Sequence, residues 1–321
     1  MFNILISDDL AVEGLDLLKT ADDVEFAVRT SLSEQQLLAE MPGRDALIVR
    51  SGTHVNRQVI KAGANLKVIG RAGIGVDNID IGTATERGVL VMNSPRAIAI
   101  ATAEHTMALL LAASRQLVRA HASLGRKEWR RDDFQGSQLQ GKRLGIIGFG
   151  RIGRLVAKRA QAFGLIVSAY DPFVTEDRAG GSGVELQALE PLLAQSDYIS
   201  LHAAITPESK GIINQQAFIK MKTGVIIINT SRGGFIDEPA LAEALASGKV
   251  KAAALDVYDR EPPENSPLIG MNNVIHTPHL GASTAEAQKD VATEIVSQVL
   301  DALRGVSYQN VINTELLSDY R

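Results

Sequence analysis

Three short segments each close an apolar run with a side chain able to do polar chemistry: Arg232 in INTSRGGFIDE, Glu261 in DVYDREPP and His279 in HTPHLGAST. An arginine supplies a permanent cation whose donor fork matches a carboxylate. A histidine exchanges protons near neutrality, and a neighbouring carboxylate stabilises its protonated form. The three together could bind a small acid by its carboxylate and move a proton at the adjacent oxygen. Singly, each has an ordinary reading: Arg232 as a surface cation, Glu261 as a solvated charge before two prolines, His279 as a helix cap or core residue. The other histidines, His54, His105, His121, His202 and His276, keep that structural reading.

A second motif sits earlier in the chain. Gly148, Gly150 and Gly153 form G-F-G-R-I-G between the strand-like RLGIIGF and the helix-like RIGRLVAKRAQAF. In a dinucleotide-binding turn the first glycine permits the tight bend, the second admits a pyrophosphate, and the third lets helix and strand approach. Alone, the motif could be a flexible turn. Asp171, 18 residues after Gly153 at the end of SAYDP, adds weight, because an acidic group near this spacing accepts hydrogen bonds from the ribose diol. Asp171 could also be a turn residue before Pro172. A carboxylate there repels a 2'-phosphate, so NAD is expected in preference to NADP. Hydride exchange with a hydroxy acid is the chemistry that such a cofactor and the first three residues share.

These residues need a scaffold. A chain of 321 residues exceeds the usual reach of one core, so two domains are expected. Short Val/Ile/Leu runs alternate with amphipathic stretches, as buried parallel strands alternating with helices would. NILISD, VEFAV, DALIVRS, KVIGRAG and VLVMNSP read as one small doubly wound unit, with AVEGLDLLKT and SEQQLLAEM as helices. A single long helix is expected over residues 97–124, then a polar arm, GRKEWRRDDFQGSQLQGK. The second series runs RLGIIGFG, LIVSAYDP, YISLHAA, GVIIINTS, KAAALDVYD and NVIHTPH. The helix TAEAQKDVATEIVSQVLDALRG follows, and a tail whose VIN could return to the first domain.

Composition sets outer bounds. A net charge of -4 offers no general basic field for nucleic acid or an anionic membrane, and 45% hydrophobic with 22% charged residues is ordinary for a globular chain. The absence of cysteine removes disulfide and thiolate chemistry, and no metal site is expected. No leader-like or membrane-spanning run is present in the sequence, so a cytoplasmic protein acting on small molecules is expected.

With these motifs in order, the chain resembles the D-isomer-specific 2-hydroxyacid dehydrogenase family, from about Ile48 to Ser283. The matching segments are IVRSGTHV, VIGRAGIGVDNID, VMNSP, LGIIGFGRIGR, NTSRGGFIDE, AALDVYDREPP and PHLGAST. The resemblance implies an α/β fold of two doubly wound parallel-sheet domains. A flavodoxin-like substrate domain would comprise residues 1–97 with 289–321, and a Rossmann NAD-binding domain residues 98–288. It also implies a catalytic set of Arg232, Glu261 and His279. NAD contacts would come from Gly148, Gly150, Arg151, Ile152, Gly153, Asp171, Thr230, Ser231, Asp256, Gly281 and Ala282. Ile74, standing where the family often has threonine, would contribute backbone only.

A branch of that family oxidises 3-phospho-D-glycerate to 3-phosphooxypyruvate, at the start of serine synthesis, and this is the activity the resemblance implies. Substrate contacts would be Arg50, Arg71, Gly73, Gly75, Arg131, Arg232 and His279, with Arg50 and Arg71 directed at the phosphate. They could also be surface charges. Ile98 stands where that branch usually has asparagine, and Arg96 could compensate in part. An NADH-dependent reductase of hydroxypyruvate, glyoxylate or a similar 2-oxo acid is the alternative, and an NADH-sensing scaffold is the alternative of another class. A homodimer is expected through the helix after Pro95 and the GRKEWRR arm. With the chain ending at Arg321, regulatory domains like those of longer relatives are not expected.

Overall fold

A computed structural model describes residues 1–175 and 180–318. The chain forms two compact units, Met1–Ile98 with Ser283–Arg321, and Ala99–Ala282. In the first, β1 (Phe2–Ile6), α1 (Val12–Lys19), β2 (Val24–Val28), α2 (Glu34–Glu40) and β3 (Ala46–Val49) lead to α3 (Arg57–Ala62), β4 (Val68–Arg71), α4 (Ile81–Glu86) and β5 (Leu90–Asn93). The strands pair in parallel in the order β2-β1-β3-β4-β5, the flavodoxin-like doubly wound arrangement. Helix starts are written in the sequence. Ser33 and Gln36 form a capping box at α2, Asn56 caps α3, and Asp80 caps α4.

The second unit opens with α5 (Ala99–Ser114) and α6 (Leu117–Gly125). The single helix expected over residues 97–124 is therefore two. Gln116 takes the left-handed conformation at φ 52°, and the last carbonyl of α5, on Ser114, accepts the Ser137 N–H of the returning arm at 2.9 Å. That interruption depends on a contact 23 residues away in sequence, which no local period carries. The arm itself contains a 3-10 turn, Arg131–Phe134.

Then follow β6 (Arg143–Ile147), α7 (Arg151–Ala162), β7 (Ile166–Tyr170), β8 (Glu185–Leu186), α8 (Leu189–Gln195), β9 (Tyr198–Leu201) and α9 (Gln215–Lys220). The unit closes with β10 (Val225–Asn229), α10 (Glu238–Ala246), β11 (Val250–Leu255) and β12 (Val274–His276). The seven strands lie in the order β12-β11-β10-β9-β6-β7-β8, all pairs parallel. This is the Rossmann order extended by one strand, with β6 at the switch point. The two-residue edge strand β8 has no apolar run to announce it.

The chain returns to the first unit as α11 (Ala285–Leu303). Val291, Ile295, Val296 and Val299 are buried on that unit's sheet, each contributing about 2 kcal/mol by burial. Gly70 of β4 makes room, since a Cβ there would meet Val299 at 2.6 Å and Ile295 at 3.0 Å. The tail then covers the edge of β5: Val311 bridges Met92, and Asn313 binds the Val91 N–H at 2.9 Å and the Val89 carbonyl at 2.8 Å. The VIN segment thus closes an exposed sheet edge. Among the described residues no helix is long and apolar enough to cross a membrane.

Asn313 is 1% exposed, so truncating it strands one buried donor and one buried acceptor at about 1–3 kcal/mol each. The expected outcome for Asn313→Ala is a loss of about 2–4 kcal/mol in urea unfolding. An unchanged midpoint would mean the tail does not hold β5.

Candidate active site

Every strand of the second unit points its carboxyl end the same way, so the loops after β6, β7, β9, β10, β11 and β12 share one edge. After β6 the three glycines answer three different demands. Gly148 has φ 93°, and a Cβ on it would collide with the Ala203 backbone after β9. A Cβ on Gly153 would collide with the Gly148 carbonyl, so α7 can start tight against the turn only without one. Gly150 has nothing within 4 Å of its missing Cβ. It also begins α7 without a side-chain cap, leaving the N–H groups of that helix's first turn, Arg151 and Ile152 among them, available to an anion. The open space at Gly150 and the uncapped helix end fit a pyrophosphate.

Asp171 after β7 accepts the Phe149 N–H at 2.8 Å on one oxygen and the Phe173 N–H at 2.9 Å on the other. It therefore does hold a turn, and it also ties that turn to the glycine loop. A carboxylate has about four acceptor sites, so capacity for a ribose diol remains.

The loops after β10, β11 and β12 carry the other set. Asn229, fully buried at the end of β10, accepts the Ser231 N–H at 3.0 Å and donates to the Arg232 carbonyl at 2.8 Å. Ser231 Oγ donates to the Ala203 carbonyl at 2.8 Å. Thr230 Oγ1 lies 2.8 Å from Thr106 Oγ1 of α5. Gly233 lets this loop lie on the next, because a Cβ there would collide with the Tyr258 backbone. Tyr258 in turn donates its N–H to Glu261 Oε1 at 3.2 Å, and Glu261 Oε2 sits 2.7 Å from His279 Nδ1. Glu261 and His279 thus form a hydrogen-bonded pair, and Arg232 stands on the loop that packs against it. With Nδ1 engaged by Glu261, Nε2 is the ring nitrogen left for exchange. Both side chains of the pair remain about 40% exposed, open to a ligand.

Asp256 stands apart from the expected cofactor contacts. It is 0% exposed, and its carboxylate accepts from His105 Nε2, Thr277 Oγ1 and the N–H groups of Leu280 and Gly281. Its surroundings are its own unit's donors rather than space for a ligand. Burial alone would raise its pKa, but the His105, Thr277 and Leu280 donors bring it below the usual carboxylate range. Tyr258 moves the other way: burial and then the Asp256 and Glu261 charges push its phenol up to about 12, so it stays a neutral donor.

In the first unit, Arg71 ends β4 and Arg50 directly follows the neighbouring β3, the strands pairing through Arg71 and Val49. Arg50 Nη1 reaches the Asp9 carbonyl at 3.3 Å, and its N–H is held by Asp8. Arg71 folds over Gly73, whose φ of 140° and missing Cβ make the room. Ile74 gives its carbonyl to Asn93 at 2.6 Å, and Gly75 follows in the same turn. Ile98, half-buried, packs against the apolar core of that unit. Arg131 is exposed in the arm's 3-10 turn of the second unit. Gly281 is buried beside Asp256, and Ala282 ends the second unit.

Thr106 and Asn229 are not among the residues the sequence singles out, and His105 is expected there only in a structural role. Thr102, His105 and Thr106 fall at i, i+3 and i+4, a polar stripe along a helix whose buried face is otherwise apolar but for Ser114.

A family model described as "D-isomer specific 2-hydroxyacid dehydrogenase, NAD binding domain" matches residues 107–281. The chain belongs to the D-isomer specific 2-hydroxyacid dehydrogenases. It is 48% identical over 314 residues to the D-3-phosphoglycerate dehydrogenase of Methanocaldococcus jannaschii, covering 98% of this chain and 60% of that protein. The chain spans about three fifths of the length of the curated relatives it matches. A crystal structure of a Thermus thermophilus protein superposes with a TM-score of 0.89 at 35% identity, over 97% of this chain and 100% of that one. A glyoxylate reductase from Paecilomyes thermophila does so with a TM-score of 0.90 at 30% identity, over 98% and 99%. The family match falls within the unit that carries the glycine turn, which identifies that unit as the family's NAD-binding domain.

Two predictions follow from the local geometry. Gly148→Ala should lower thermal stability markedly. Gly150→Ala should cost less than about 1 kcal/mol yet weaken NADH binding by about tenfold or more, read by fluorescence titration. Equal losses of stability in both variants would contradict the separate roles.

The second concerns His202 after β9, which keeps some surface in water while its Nδ1 is shut off and unpartnered. Desolvation pushes its pKa from 6.5 down to about 3. The unfolded chain binds this proton as pH falls below 6.5 and the folded chain does not, so stability is whole above that pH and lost towards 3. The slope is up to about 1.4 kcal/mol per pH unit. His202→Gln should flatten the dependence of unfolding free energy on pH in that window, and an identical slope would rule the ring out as its source.

Proposed function

We propose that the chain is an NAD-dependent dehydrogenase oxidising 3-phospho-D-glycerate at C2 to 3-phosphooxypyruvate, the first step towards serine. The carrying observation is the Glu261–His279 pair at 2.7 Å beside the Arg232 loop. The 48% identity to a D-3-phosphoglycerate dehydrogenase supports the choice of acid. Arg232 binds the substrate carboxylate and the C2 oxygen. His279 Nε2 takes the C2 hydroxyl proton as the C2–H bond breaks, and Glu261 holds the ring through Nδ1. Bound NAD would accept the hydride. Gly148, Gly150, Arg151, Ile152 and Gly153 would hold its phosphates and Asp171 its ribose, with Thr230, Ser231, Gly281, Ala282 and Ile74 as further contacts.

A second anionic group on the substrate needs cations other than Arg232. Arg50 and Arg71 are assigned to it, with Gly73 and Gly75 shaping the turn and Arg131 in support. Ile98, packed against the core, has an aliphatic side chain in place of the family's polar asparagine side chain. The protein is proposed to act as a homodimer, a reading supported by the large apolar side chains Leu117, Val118, Leu124 and Trp129 that α6 and the arm expose. Light scattering that finds only monomer would remove that element.

Initial rates with 3-phosphoglycerate and NAD, set beside hydroxypyruvate or glyoxylate and NADH, test the substrate. The phosphorylated acid should be turned over, and Arg71→Ala should raise its KM by about tenfold or more while sparing hydroxypyruvate. His279→Asn should lower kcat by about 10² or more and leave NADH affinity within about twofold. Reduction of hydroxypyruvate with no activity or affinity towards the phosphorylated acid would move the assignment to a 2-oxo-acid reductase. NADH binding without turnover of any of these acids would favour a sensing scaffold.

A further inference from the structure

His279 occupies the left-handed region at φ 55°. For a residue with a side chain this costs about 1–2 kcal/mol, and it persists only where the surroundings over-determine it. The determining contacts all converge on Asp256. The His279 N–H donates to the Asp256 carbonyl at 3.0 Å, the Leu280 N–H to its Oδ1 at 2.7 Å and the Gly281 N–H to its Oδ2 at 2.8 Å. Three successive backbone donors are thereby gathered on one buried residue, two of them, Leu280 and Gly281, on its carboxylate as consecutive amides bind an anion. Thr277 Oγ1, from the same loop, adds a bond to Oδ1 at 2.6 Å.

One donor comes from elsewhere. His105 of α5 places Nε2 3.2 Å from Asp256 Oδ1 and 3.2 Å from Thr277 Oγ1. Among the described residues it is the partner of the Asp256 carboxylate that comes from outside residues 277–281. Backbone bonds already tie the cradle to the sheet, the Asp256 N–H to the Asn229 carbonyl at 2.9 Å and the Thr277 N–H to the Leu255 carbonyl at 3.0 Å, and His105 ties the Asp256 carboxylate to α5. Through that tie, the turn that presents His279 is registered against a long, well-packed helix, which also holds the Arg232 loop through Thr106 and Thr230 at 2.8 Å.

We propose that His105 is a positioning residue for His279, acting through Asp256 to fix the left-handed turn that aims the imidazole. The kinetic part rests on the dehydrogenase reading above; the geometric part does not. Loss of the His105 donor lets the turn relax, and misplacement of a reacting group by about 1 Å costs up to about 10² in rate. The proposed phosphate and ribose contacts lie in the glycine turn and at Asp171, outside this network, which meets the other proposed NAD contacts at Gly281 and, through Thr106, at Thr230.

The test compares His105→Phe, which cannot donate, with His105→Gln, whose amide can reach the same oxygen. His105→Phe should lower kcat by about tenfold or more with the KM for NAD within about twofold, and His105→Gln should restore kcat to within about twofold of wild type. In parallel, amide hydrogen exchange at Leu280 and Gly281 should quicken about tenfold in the Phe variant and stay slow in the Gln variant. Should the Phe variant fail to fold, His105→Asn, too short to reach Asp256, takes its place. Unchanged kcat and unchanged exchange in the non-donating variant overturn the proposal, as does a Gln variant as impaired as the Phe one. If the wild-type protein turns over no 2-hydroxy or 2-oxo acid, the functional reading falls, and the exchange measurement still decides whether His105 holds the turn.

Discussion

Asp256 carries a negative charge with no contact with water, and the loop ends of the second unit are arranged around keeping that charge bonded. An uncompensated buried carboxylate costs several kcal/mol even after relaxation, so its donors cannot drift. Two of those donors are the backbone amides that follow His279. The folding requirement of one residue therefore dictates the conformation of another. The exposed imidazole sits on a turn whose shape is set from beneath, while Glu261 sets the orientation of the ring from the side.

Glycines extend the same rigidity across the neighbouring loops. Gly148 against Ala203 and Gly233 against Tyr258 bring backbone onto backbone with no side chain between. The loops after β6 and β9, and those after β10 and β11, are locked in pairs, so the arginine loop and the carboxylate loop move as one body. Gly150 is the contrasting case, a glycine whose space nothing in the protein fills. Packing explains the first two and leaves the third to a ligand.

The fold class was legible because parallel strands buried on both faces leave nearly unbroken Val/Ile/Leu runs, as in VIIIN of β10 and LVMN of β5. The break between α5 and α6 was not legible, since it is made by Ser137 reaching back to Ser114. Neither was β8, two residues at a sheet edge. At the site, Arg232, Glu261 and His279 stood out as chemically capable residues after apolar runs, and the fold brings the last two into a hydrogen-bonded pair. Asp256 was legible as a strand-end acid but not as a buried one, because burial arises from helix α5 lying over it. His105 had the same difficulty: a histidine in an apolar helix shows its role only when the opposite wall is known.

In the proposed reaction His279 works as one half of a pair with Glu261, on a turn held by Asp256. Steady-state kinetics of Glu261→Gln with 3-phosphoglycerate and NAD, alongside NADH titration, tests it most directly. The account predicts a kcat lower by about 10² with NADH affinity unchanged. A variant as fast as the wild type would show that the pair seen in the structure takes no part in the chemistry.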